Sequence, residues 1–166
     1  RSSMPSTFFG LPLHPLIVHA TVVMVPLAVL AVLGAVLVPR FRAWAGPLPA
    51  GLALVALILT PLSTATGENL EHSLPETHLI EEHAEIGDQL IWFTVALFAF
   101  AAAYWWLDRR RTATPEAEQF RDRTRTIVAV VGVLAVLTAL GTGVQVARIG
   151  HSGAKAAWSQ TGSAGG

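Results

Sequence analysis

The sequence predicts an all-α integral membrane protein, a four-helix transmembrane bundle with both termini on the outer side. Its composition is the first observation: 52% of the 166 residues are hydrophobic and 13% are charged, about half the charged fraction of a soluble domain. The second is the presence of four apolar segments, each long enough to cross about 30 Å of hydrocarbon as a helix. These segments cover residues 16–38, 48–66, 86–107 and 127–149.

The third observation is the uneven distribution of charge, which predicts the orientation. Eight of the eleven basic residues lie in the loops 39–47 and 108–126, whereas the loop 67–85 has no Lys or Arg. Because basic loops are retained in the cytoplasm, we expect a multi-pass protein of the bacterial inner (plasma) membrane with loop 67–85 outside. The expected partner is the lipid bilayer, and no motif indicates nucleic acid. The predicted organisation is an N-terminal outer segment, a four-span membrane domain and a flexible C-terminal tail, at residues 1–12, 13–153 and 154–166.

Local signals predict where the helices begin and end. Pro15 suits the first turn of the first helix, and the capping-box spacing from Ser73 to Glu76 predicts that the third helix begins near Leu74. Gly150 suits a left-handed cap that would end the fourth helix. We expect that cap to turn the following residue, a histidine, back over the outer end of the bundle.

All six histidines fall at this outer end, and histidine is a common ligand of metals and of haem. The chain has no cysteine, so thiolate ligands and covalent haem attachment are excluded. On the third helix Leu79, His83 and Ile86 recur at helical spacing, which places His83 on the core-facing stripe. His78 falls on a polar stripe and His72 in the loop. The predicted inward-facing set is therefore His14, His19, His83 and His151.

Two charged residues complete the candidate site. Gln145, Arg148 and Ser152 share one face of the fourth helix, and Arg148 could either pair with Glu68, Glu82 or Glu85 or hold an anionic group such as a haem propionate. Glu68 could accept a hydrogen bond from a ligating imidazole, which usually donates its second N–H.

These residues also carry a family resemblance. The segment Gly10-Leu-Pro-Leu-His14-Pro-Leu-Ile-Val-His19 contains an HPLxVH motif, and Thr66-Gly67-Glu68, His83 and Gly150-His151-Ser152-Gly153 follow it. The chain resembles a widespread bacterial family of four-span membrane domains over nearly its whole length. Some relatives are joined to Rieske-type iron–sulfur or cytochrome modules, so the resemblance implies a redox setting with such partners. His14, His19, His83 and His151 match its motif positions, whereas His72 and His78 do not.

Three functions follow from this pattern. The first is electron transfer by a b-type haem, with His19 and His83 as the first pair of axial ligands and Arg148 at the cofactor. The second is a non-haem copper, zinc or iron site on three or four histidines with Glu68, which would become catalytic if a coordination position stayed open. The third is an accessory membrane subunit without a cofactor. Electron transfer or metal binding is favoured over a stand-alone enzyme, because no nucleophile motif or HExxH helix is present.

Overall fold

The structure is a computed structural model that describes residues 7–8, 11–71, 78–113 and 118–162, with side-chain surroundings for residues 15–67, 78–113, 122–155 and 158. A two-residue antiparallel ribbon, β1 (Thr7–Phe8) with β2 (Leu11–Pro12), precedes the helices. The helices of the described chain are α1 (Leu13–Leu37), α2 (Pro39–Ala45), α3 (Leu48–Glu71), α4 (His78–Asp88), α5 (Leu90–Ala113) and α6 (Glu118–Gly162).

Four of these elements confirm the predicted membrane bundle. Helices α1, α3, α5 and α6 run alternately up and down, and each packs mainly against two neighbours, in the cyclic order α1, α3, α5, α6. The four segments long and apolar enough to cross a membrane are Pro15–Leu37, Leu48–Gly67, His78–Ala113 and Asp122–Lys155. The ends of α3, α4 and α6 with the start of α1 form one end of the bundle, here called the histidine end. Helix α2 and the neighbouring helix ends form the opposite end, here called the arginine end.

The interior of the bundle is built mainly from small side chains. Alanines with no exposed surface line α1, α3 and α6, and they surround the fully buried Val25 and Leu97. Small residues let membrane helices approach closely, so that dispersion contacts can replace the hydrophobic drive that lipid does not supply. The alanines with 0% exposure are Ala28, Ala53, Ala56, Ala135 and Ala139.

Helix α6 corrects the prediction made for the end of the fourth span. It continues without a break to Gly162, so the expected end near Ile149 and the left-handed cap at Gly150 are wrong. Within the described residues Gly46 is the glycine with a positive φ, of 53°, and it ends α2 instead. Glycine inside a helix costs only about 1 kcal/mol relative to alanine, and the contacts between α4 and α6 favour continuation of the helix. Residues 154–162, assigned above to the C-terminal tail, are helical.

The third span is divided in a way that the sequence did not reveal. Helix α4 ends at Asp88, α5 begins at Leu90, and Gln89 between them forms a turn in which its carbonyl accepts from Trp92 N at 3.3 Å. The predicted single helix is therefore divided into α4, at the histidine end, and the longer apolar helix α5. The predicted start near Leu74 lies outside the described residues.

An ionic network holds the arginine end together. The guanidinium of Arg42 on α2 contacts Asp108 on α5, with Nε 3.4 Å from Oδ2, and it also donates to the hydroxyl of Tyr104. Arg111 donates to the other oxygen of Asp108 at 2.7 Å. Phe41 packs over Gly34, where an added Cβ would lie 3.0 Å from the ring. These contacts fold the short helix α2 back against α1 and α5.

Candidate cofactor site at the histidine end

Helix α4 carries His83, and the position of this histidine follows from the difference between the half-buried and the exposed face of the helix. Leu79, His83 and Ile86 are half-buried, and the helix packs against α6 and, less extensively, α3. The polar stripe predicted from the sequence is confirmed, because its members are exposed on the opposite side of the helix. These are His78, Glu82, Glu85 and Gln89.

A hydrogen bond fixes the His83 ring against α6. Its Nδ1 lies 2.9 Å from Oγ of Ser152, a residue that is 8% exposed, and Ser152 Oγ itself lies 3.0 Å from the carbonyl oxygen of Ile149. A serine hydroxyl has one proton to donate. Because a carbonyl can only accept, we assign that proton to the bond with Ile149, so Nδ1 of His83 donates to Ser152. In the tautomer with this single ring proton, the free electron pair is on Nε2.

Gly153 provides the space in which the ring lies. A Cβ added at this glycine would stand 3.1 Å from Cε1 of His83 and 3.8 Å from Nε2, closer at Cε1 than ordinary van der Waals contact. Ser152 and Gly153 therefore act together, since the first bonds the ring and the second lets it approach the backbone of α6. Both residues belong to the segment 150–153 that the sequence singled out, although the predicted cap is not what brings them to the site.

Gln145 is a buried residue of this end that the sequence placed on the right face without giving it a role. Its side chain is 2% exposed, and its Nε2 donates to the carbonyl oxygen of Ile86 at 2.8 Å. Ile86 lies in the last turn of α4, where carbonyls lack a partner within the helix. Gln145 therefore joins α6 to α4 where the third span is interrupted, three residues from His83.

Arg148 extends this contact toward the surface. Its Nη1 donates to Oε1 of Gln145 at 3.3 Å, and the residue is exposed. Across residues 78–113 and 122–155 it forms no ion pair, so the alternative of a pair with Glu82 or Glu85 is wrong. The side chain of Glu68 lies outside the described set. Arg148 thus presents a cation one helical turn before Ser152.

His19 does not point where the sequence predicted. It is exposed, and its Nδ1 donates to the carbonyl oxygen of Pro15 at 2.6 Å. At 100° per residue it falls opposite the buried Thr21 and Val25, on the outward face that also carries Leu30, which is 66% exposed. The core-facing positions of α1 are filled by small and apolar residues, so the predicted inward direction of His19 is wrong. His19 and His83 therefore face different surroundings.

The remaining predicted ligands are more dispersed. His151 is exposed, so its expected inward direction is also wrong, and His78 is exposed as expected. The side chains of His14 and Glu68, and all of His72, lie outside the described set. Among the described residues no three His, Asp or Glu side chains stand close enough together to hold a metal ion. Of the four histidines whose side chains are described, His83 is half-buried between helices, whereas His19, His78 and His151 are exposed.

The fold and this end of the bundle define a multi-pass membrane protein with four spanning helices and a short helix, α4, that positions a histidine at the histidine end. The chain belongs to the family described as predicted membrane protein (DUF2231), whose model matches residues 10–164. The match covers the bundle and both of its ends. No curated protein and no solved structure matches the chain.

Proposed function

We propose that this protein carries a histidine-ligated cofactor at the histidine end, that the cofactor is a b-type haem, and that its function is electron transfer. The observation that carries the proposal is the hydrogen bond between Nδ1 of His83 and Oγ of Ser152. Nδ1 donates to Ser152, so the free electron pair is on Nε2. Metal-ligating histidines usually have this arrangement, with one nitrogen on the metal and the other N–H held by an oxygen.

The accessibility of Nε2 supports the same proposal. His83 is half-buried, and its Nε2 has no hydrogen-bond partner among the described residues. No buried side-chain nitrogen or oxygen in the described chain lacks a partner, so this Nε2 reaches the surface of the protein. Coordination at Nε2 would therefore break no hydrogen bond of the described chain.

The position and charge of Arg148 favour an anionic cofactor beside the His83 ring. It lies one turn before Ser152, and the described chain gives it no carboxylate partner. A guanidinium binds carboxylates through charge-assisted hydrogen bonds, and haem propionates are carboxylates. When bound, a haem would supply one-electron chemistry. His83 would hold its iron and Arg148 a propionate.

The exposed His19 is a second candidate ligand. A carbonyl oxygen can only accept, so the bond to Pro15 fixes the proton of His19 on Nδ1 and leaves Nε2 free. Because His19 and His83 face different surroundings, the proposal requires His83 alone. His14, His19, His151 and Glu68 stay candidates for further coordination.

The proposal includes a direction in the membrane and a class of partner. The arginine-rich loops favour a cytoplasmic arginine end, which places the histidine end on the extracytoplasmic side of the inner membrane. The family resemblance favours a Rieske-type or cytochrome protein as the electron-transfer partner there.

Cofactor content tests the proposal. The full chain would be purified from membranes in mild detergent, and haem, iron, copper and zinc would be measured per protein together with the visible absorption spectrum. We expect about one haem per chain in the wild type, little in His83→Ala and His83→Gln, and unchanged content in His78→Ala on the same helix. Gel filtration shows whether each variant remains folded. Stoichiometric copper or zinc without haem would contradict the haem proposal, and folded protein with neither would contradict the cofactor proposal altogether.

A further inference from the structure

A groove at the arginine end lies between α1 and α6, far from the histidines. It has a volume of about 410 Å³, and its walls are apolar side chains of both helices, among them Val36, Val133 and Leu137. Arg111 and Arg125 line the same groove. From Arg125 to Leu137 the groove follows α6 for about 18 Å, at 1.5 Å per residue. The groove therefore has two parts. Its cationic mouth is formed by Arg111 and Arg125, and its apolar channel runs along α6 past Val133 and Leu137.

The charges at the mouth do not cancel. Three guanidiniums line the groove, those of Arg42, Arg111 and Arg125, and one carboxylate, that of Asp108, contacts the first two. Arg125 is exposed and forms no ion pair in the part of the chain that the structure describes. Nearby on α6, Asp122 and Arg123 are exposed and offset each other in charge. Among the side chains that the structure describes, the mouth therefore has an excess of two positive charges.

We propose that this groove binds an anionic phospholipid of the phosphatidylglycerol type. The lipid phosphate lies between Arg111 and Arg125, and one acyl chain lies along Val133 and Leu137. A guanidinium matches the geometry and charge of a phosphate, and basic pockets between spanning helices suit anionic head groups. The apolar channel accommodates an acyl chain, which a free phosphate lacks. This site is separate from the proposed cofactor and does not depend on it.

Native mass spectrometry of the delipidated full chain tests this assignment. Dioleoylphosphatidylglycerol and dioleoylphosphatidylcholine would be titrated separately into the same detergent. We expect the anionic lipid to give a saturable one-to-one complex at concentrations where the zwitterionic lipid gives little. Arg111→Gln and Arg125→Gln should each weaken that complex about fivefold, the effect of about one unit of basic charge at an anionic surface.

Two further arms distinguish this site from general attraction to the arginine end. Arg110 lies at the same end but stacks on Trp106, with its guanidinium carbon 3.8 Å from the ring centroid, and it is absent from the groove lining. Arg110→Gln should therefore leave binding unchanged, whereas Val133→Trp should weaken it by filling the channel. Equal binding of both lipids, an equal loss in Arg110→Gln and Arg125→Gln, or displacement of the lipid by equimolar inorganic phosphate would overturn the proposal.

Discussion

Two glycines on α6 give a direct test of how closely His83 packs against that helix. Gly150 and Gly153 lie one turn apart, and both are helical. A Cβ at Gly150 would meet nothing within 4 Å, whereas a Cβ at Gly153 would stand 3.1 Å from Cε1 of His83. Both alanine substitutions therefore raise the helix propensity of α6, but only Gly153→Ala crowds the His83 ring.

The expected magnitudes follow from these distances. Gly150→Ala should stabilise the protein by up to about 1 kcal/mol, because alanine is the better helix former. Gly153→Ala gains the same preference but forces the ring to move by a few tenths of an ångström, and overpacking costs about 1–3 kcal/mol. We expect Gly153→Ala to be less stable than Gly150→Ala by about 1–2 kcal/mol, or several degrees in Tm.

Thermal unfolding in one detergent, followed by circular dichroism, measures this difference. Repeating both substitutions in a His83→Ala background completes a double-mutant cycle, and there the penalty at Gly153 should disappear because no ring remains to be displaced. Equal stability of the two alanine variants would refute the described packing of His83. If the stability penalty of Gly153→Ala persists in the His83→Ala background, displacement of the ring is not its cause.

The other predictions concern polar contacts between helices. Gln145→Leu leaves the carbonyl of Ile86 without its 2.8 Å donor. We therefore expect the free energy of unfolding to fall by about 1–2 kcal/mol and the amides between α4 and α5 to exchange hydrogen faster. Unchanged exchange there would contradict the role of Gln145. Asp108→Asn removes the counter-charge of Arg42, and because these side chains are 15% and 25% exposed the cost should be about 2 kcal/mol, below that of a fully buried pair. The exposed Asp122 offers the matched control, and a similar loss in Asp122→Asn would show that the network at Asp108 has no special weight.

The bundle could be predicted from the sequence because the signal for a spanning helix is local. Twenty or so apolar residues in a row suffice, whatever they pack against, and all four spans are present. The face of α4 that carries His83 could also be predicted from the sequence, since Leu79 and Ile86 share that face at helical spacing.

The features that the sequence missed depend on contacts between helices. Gly150 fits a helix cap, but the packing of α4 on α6 extends through this region and the helix continues. The direction of His19 is not predicted by its residue type, because the cost of an ionisable side chain near an apolar run favours pairing inside the bundle. In the structure it bonds to the carbonyl of Pro15 within its own helix, an alternative that the pattern of residue types does not exclude.

The role of Gln145 shows the same limit. Its face on α6 could be predicted, but the interruption of the third span at Gln89 could not, since neither proline nor glycine occupies that position. Without the interruption there is no carbonyl for Gln145 to satisfy.

The reduced-minus-oxidised visible spectrum of His83→Ala, recorded beside that of His78→Ala, tests the central proposal most directly. Both histidines lie on α4, but His78 is exposed whereas His83 is bound to Ser152. We predict a Soret band that shifts on reduction with dithionite in the wild type and in His78→Ala, and its loss in folded His83→Ala. An unchanged haem spectrum in His83→Ala, or the lack of any such band in the wild type, would contradict the account.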